Sequence, residues 1–149
     1  MYKERLKDIR EKKAIKQEVI ADYLKIHRGS YSKYEIENAI MPTKHLNALC
    51  NYFNISVDYL FGFTNNKNYE NSNNKISKTK TMLRLKELRK EYKISQSDLA
   101  ESIGSAKTTI SGYERGARII ATPFLYDICK KYKISADYLL GKTDIKDIL

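Results

Sequence analysis

The chain has 149 residues, is 42% apolar, and carries 28 Lys and Arg against 18 Asp and Glu, a formal net charge of +10. That length admits one ordinary domain or two small ones, and the apolar and charged fractions are those of a soluble globular protein. No apolar run approaches the ~20 residues of a membrane-spanning helix, and the opening "MYKERLKDIREKK" lacks the apolar core of a secretory signal, so a cytoplasmic protein is expected, with no membrane partner. Cys50, Cys129, His27 and His45 share no metal-ligand spacing. With no nucleophile elbow, phosphate-cradling glycine loop or carboxylate pair either, neither an enzyme nor a metal or cofactor site is expected. The excess of positive charge favours a polyanionic partner.

The elements come twice. "RLKDIR" at 5–10 returns as "RLKELR" at 84–89, and "ISVDYLFG" at 55–62 returns as "ISADYLLG" at 134–141, both at a shift of 79. Under that shift about 21 of about 60 aligned positions are identical, with no gap, which makes the chain a tandem duplication. The expected organisation is a first unit over 1–64, a flexible Asn/Lys/Ser-rich linker over 65–80, and a second unit over 81–149.

In the second unit, Leu85, Leu88 and Tyr92 fall on one face of a first helix. Ser95 and Asp98 are spaced as an N-cap with an acidic N3 residue for a second helix, which buries Leu99, Ala100 and Ile103 and ends at Gly104. Ile110 and Tyr113 mark a third helix closed by Gly116, where glycine suits a left-handed cap. Thr122 and Pro123 read as N-cap and N1 of a fourth helix burying Leu125, Ile128, Cys129 and Tyr132. Ser135 caps a fifth, closed by Gly141. No segment alternates with period two, so each unit is expected to be an all-α bundle of five short helices. Both cysteines then serve as core filler on the fourth helix.

Two short helices joined by a tight turn, "SQSDLAESIGSAKTTISGYERG", form a helix-turn-helix layout. With the flanking "RLKELR" and "ISADYLLG", this segment closely resembles the phage repressor and Cro family, also called the xenobiotic-response-element type. The first unit carries the same pattern with Lys25 at the position of Gly104 and Glu37 at that of Gly116. The implied fold is two lambda-repressor-like DNA-binding bundles in tandem.

The resemblance implies that the third helix of each unit enters the major groove of double-stranded DNA. Base-reading candidates are then Lys107, Thr108, Thr109 and Gly112 in the second unit and Arg28, Gly29, Ser30 and Lys33 in the first. Phosphate-contacting candidates are Gln96, Arg115, Arg118 and Gln17, with Ile36 and Ala39 standing where the second unit has the two arginines. Arg10 with Glu35, and Arg89 with Glu114, are placed as structural ion pairs, and Tyr34 and Tyr113 as core residues. The implied function is a sequence-specific transcriptional regulator, with repression the expected sense, binding as a homodimer or as a pseudo-dimer through its tandem units. No small-molecule ligand is expected. Two other readings stay open: that one unit, most plausibly the first with its apolar Ile36, Ile40 and Met41, serves dimerisation or a protein partner, or that the chain is a DNA-binding antitoxin. The tail "DIKDIL", with Ile145, Ile148 and Leu149 at helical spacing, either packs on its own unit or serves a dimer contact.

Overall fold

The apolar spacings become ten helices and no strand in a computed structural model, which describes residues 1–149. Met1–Asn68 form one unit and Tyr69–Leu149 the other. Unit one contains α1 (Lys3–Lys12), α2 (Gln17–Leu24), α3 (Arg28–Glu35), α4 (Thr43–Phe53) and α5 (Val57–Leu60). Unit two contains α6 (Lys78–Glu91), α7 (Gln96–Ser102), α8 (Lys107–Glu114), α9 (Thr122–Tyr132) and α10 (Ala136–Leu139). Five helices per unit is the expected number.

The two cores are built from equivalent positions. Leu6, Ile20, Tyr31, Leu46, Leu49, Cys50 and Leu60 are fully buried in unit one, and Leu85, Leu99, Ile110, Leu125, Ile128, Cys129 and Leu139 in unit two. Each cysteine is buried inside its own unit. Removing such a leucine or isoleucine side chain would leave a cavity costing about 2–5 kcal/mol.

The helix ends explain how unit one tolerates its missing glycines. In unit two Gly104 (φ +66°) donates its N–H to Glu101 O and Ser105 donates to Ala100 O, the paired bonds of a Schellman cap. In unit one Lys25 takes the same left-handed conformation (φ 58°), with Lys25 N–H on Asp22 O and Ile26 N–H on Ala21 O. The turn is retained, and the side chain carries a strain of about 1 kcal/mol. Glu37 (φ 57°) likewise stands in for Gly116 (φ 72°). Here the carboxylate does something a glycine cannot: it accepts the Lys3 N–H at 3.2 Å, at the first residue of α1, whose N-cap Tyr2 supplies no side-chain bond. An anion at the positive end of a helix is stabilising, which offsets part of the strain.

Several expected boundaries move. Thr122 is the first residue of α9 and its N-cap is Ala121, so Pro123 sits one position deeper than expected; proline is tolerated there because first-turn N–H groups have no intrahelical acceptor. The tail at 145–149 is not helical; it runs along unit two, with Ser135 N–H donating to Lys146 O at 3.0 Å and Lys146 Nζ reaching Glu91. The segment expected as a linker divides between the units. Ser56 N–H donates to Lys67 O, the counterpart of the Ser135–Lys146 bond, so residues 65–68 form an arm of unit one. Asn73 N–H donates to Lys142 O and Ser77 N–H to Leu140 O, and α6 already starts at Lys78. The polar composition of 65–80 describes only side chains, and these bonds are made by the backbone, which composition does not report.

Candidate nucleic-acid interface

The third helix of each unit is held from below by its own glutamate. Glu35, the last residue of α3 and 2% exposed, takes two bonds from Arg10 of α1, Nε to Oε2 at 2.8 Å and Nη2 to Oε1 at 2.6 Å. Glu114, the last of α8 and 1% exposed, takes the same fork from Arg89 of α6 at 2.8 and 2.9 Å. The remaining guanidinium nitrogen of each arginine donates to the turn between the first and second helices, on Ile15 O or Ile94 O. Burial alone would raise the Glu35 carboxyl, but the Arg10 bonds outweigh it and hold the group below the usual carboxylate range. The bond to Glu35 likewise raises Arg10, and the bond to Glu114 raises Arg89. Both expected ion pairs are therefore made, and each fixes the end of a third helix to the first helix of its unit.

Gln17 and Gln96 join this arrangement. Each opens the second helix of its unit and directs its amide Nε2 at the same glutamate, at 3.4 Å. The link is long and weak, but it ties three helices at one point and leaves the glutamines half-buried at the edge of the surface that the third helix presents. In unit two, Ser95 and Asp98 complete the expected capping box, with bonds of 3.0 Å in both directions, and the Ser95 backbone N–H holds Asp98 below its ordinary range. In unit one, Lys16 and Val19 stand at those positions and no side chain caps α2.

A second anchor was not read from the sequence. Arg84, in the repeated "RLK", donates Nη1 to Tyr138 O and Thr143 O and Nη2 to Asp144, with its guanidinium 3.9 Å from the Tyr138 ring centroid. Arg5 repeats this on Tyr59 O, Thr64 O and Asn65, 4.4 Å from the Tyr59 ring. The first helix is thus clamped to the closing helix. The signal was present, since both the arginine and its tyrosine recur at a shift of 79, but carbonyl acceptors have no sequence signature.

On the outer face of α8, Lys107 and Thr108 are exposed and Thr109 is half-buried; on α3, Arg28, Gly29, Ser30 and Lys33 are all exposed. Gly112 differs from expectation: it is buried, because Arg118 from the following loop folds back over it. A Cβ placed on Gly112 would lie 3.1 Å from both Arg118 Nε and Nη2. Arg115 also turns back, Nε donating to Ser111 Oγ at 3.3 Å. Behind this face Tyr113 is buried and its hydroxyl accepts the Ala121 N–H, whereas Tyr34 is only half-buried, 3.4 Å from His45 Nδ1. Met41, expected among an apolar surface group, is 1% exposed, while Ile36 and Ile40 are 55% and 70% exposed.

Two short helices joined by a capped turn, the second locked by an arginine–glutamate fork and presenting polar and cationic side chains, define a helix-turn-helix domain, present here twice. The family comparisons agree: residues 3–63 match a helix-turn-helix domain family and residues 85–139 match a helix-turn-helix family. The chain belongs to the helix-turn-helix proteins of the Cro/CI type, with two domains in tandem. Among curated relatives, all from Bacillus subtilis (strain 168), the uncharacterized HTH-type transcriptional regulator YobD is 41% identical over 64 residues, 43% of this chain and 57% of that protein. The SPbeta prophage-derived regulator YonR is 43% identical over 60 residues, 40% of this chain and 56% of that protein. The HTH-type transcriptional regulator ImmR is 37% identical over 62 residues, 42% of this chain and 49% of that protein. The chain thus spans about half the length of these relatives. No solved structure matches it. No helix is long and apolar enough to cross a membrane.

Proposed function

We propose that the chain is a sequence-specific regulator of transcription, acting as a repressor, that binds double-stranded DNA through two unlike reading heads. The observation that carries this reading is the pair of third helices, held by the same arginine–glutamate fork yet presenting different exposed side chains. Lys107, Thr108 and Thr109 form the reading edge of unit two, and Arg28, Gly29 and Ser30 that of unit one. Lysine and arginine donate to guanine O6 and N7, and the threonine methyl packs on thymine; each well-formed contact discriminates by about 1–3 kcal/mol. Gln17, Gln96 and Arg115 set register on the phosphates. With both units on one chain, the operator is a pair of dissimilar half-sites, and occupancy of one raises the effective concentration of the other unit to about millimolar. The relatives' names as transcriptional regulators support the regulatory class. Footprinting the chain and two alanine variants, one per third helix, tests the proposal: each variant is expected to lose protection over its own half-site, and unchanged protection by both would overturn it.

The exposed Ile36 and Ile40 favour a second reading for unit one alone, as a docking surface for a protein partner. DNA binding by isolated unit one, weakening with salt as phosphate contacts do, would count against it.

A further inference from the structure

The fold-back of Arg118 over Gly112 has a counterpart in unit one that reverses it. The position equivalent to Gly112 is Lys33, and the position equivalent to Arg118 is Ala39. Unit two therefore has no side chain on the helix and a long cation on the loop, and unit one has a long cation on the helix and a methyl on the loop. The two changes depend on each other sterically. The three atoms nearest a Cβ at Gly112 all belong to the Arg118 guanidinium, so a side chain fits there only if Arg118 moves or is short, as Ala39 is. Both cations are exposed, Lys33 on the third helix of unit one and Arg118 on the loop after the third helix of unit two, with its guanidinium against Gly112.

We infer that Lys33 in unit one and Arg118 in unit two are one functional position, a single cation that each unit supplies by a different route to a DNA backbone phosphate. The choice of phosphate over a base edge follows from the chemistry. An ammonium on the helix and a guanidinium reaching back from the loop share charge but neither hydrogen-bond geometry nor direction of approach. A phosphate accepts a cation from either direction, whereas a contact to a base edge fixes the direction of approach, whichever of the two side chains makes it. Lys33 and Gly112, both expected from the sequence as base readers, thus leave that set, and base choice rests on the first turn of each helix. This assignment rests on the DNA-binding reading above.

The test uses the full chain and duplex DNA selected by that chain from a random pool. Arg118→Ala is expected to weaken binding about tenfold and to lower the slope of log affinity against log salt by about one, without changing the bases preferred. Gly112→Lys combined with Arg118→Ala, which transplants the arrangement of unit one, is expected to restore both affinity and slope. Lys33→Ala should reproduce the Arg118→Ala result in the other half-site. An unchanged salt slope in Arg118→Ala, a changed base preference, or a double variant no better than Arg118→Ala would overturn the inference while leaving DNA binding intact. If the unaltered chain selects no duplex at all, the DNA-binding reading falls and the shared cation falls with it.

Discussion

Unit one and unit two have the same five helices in order, cores built on equivalent positions and the same arginine–glutamate fork, and they differ most where helices end and on the face the third helix presents. Unit two ends its second and third helices on Gly104 and Gly116, caps its second helix with Ser95 and Asp98, and folds Arg115 and Arg118 over its third. Unit one uses Lys25 and Glu37 in the left-handed turns, leaves its second helix uncapped, and exposes Ile36 where Arg115 stands. The fold is thus held by a buried charge fork identical in the two units and by a core that keeps its positions while exchanging its apolar residues, Ile20 for Leu99 and Tyr31 for Ile110. Caps worth about 1 kcal/mol each have drifted, and with them the surface.

The largest expected effect comes from what the units share. Glu35→Ala or Glu114→Ala leaves a largely buried arginine unpaired and should destabilise its unit by about 3–5 kcal/mol in urea unfolding; a loss below about 1 kcal/mol would show the fork to be incidental. Because the folded Glu35 carboxyl lies below its unfolded value, its contribution is complete above about pH 4.3 and is lost as pH falls through the lower folded value. Acid titration of unit one, followed by tyrosine fluorescence, should lose that contribution in Glu35→Gln.

Next in size is the clamp. Arg84→Ala removes the donor from two backbone carbonyls and should cost about 2–3 kcal/mol, with the α10 amides losing protection first in hydrogen exchange. Equal protection in α10 with and without Arg84 would remove it from the account.

The helix ends should break the symmetry most cleanly. Gly104→Lys should destabilise unit two by about 1 kcal/mol through backbone strain alone, since a Cβ there meets nothing within 4 Å. Lys25→Gly should stabilise unit one by a similar amount. Glu37→Gly should gain less than Lys25→Gly because it also removes the acceptor of the Lys3 N–H. Thermal denaturation orders the three, and Glu37→Gly matching or exceeding Lys25→Gly would contradict the role given to that carboxylate. The smallest effect is expected from Lys16→Ser with Val19→Asp, which builds a capping box on α2 and should add about 1 kcal/mol or less.

Most of the architecture was legible because it is written in side chains at fixed spacing. Ile110 and Tyr113, Ser95 and Asp98, and the shift of 79 residues gave the helices, the capping box and the duplication. The fork was legible only through resemblance to a family, because Arg10 and Glu35 are far apart in sequence and nothing local links them. What the sequence concealed was carried by the backbone or by conformation. The Arg84 clamp ends on carbonyls, and the arms at 65–68 and 73–77 are held by main-chain bonds. Gly112 belongs to the reading edge by its position in the sequence, but Arg118 lies over it, and that fold-back has no sequence signature.

The central claim is that two copies of one fold present two different reading surfaces. Selection from a random DNA pool, run with the unaltered chain and with Arg28→Ala/Ser30→Ala and Lys107→Ala/Thr108→Ala variants, tests it most directly. Two unlike half-sites, each losing its base preference only in the variant of its own unit, are expected. A selected site indifferent to the unit one variant, or two identical half-sites, would contradict it.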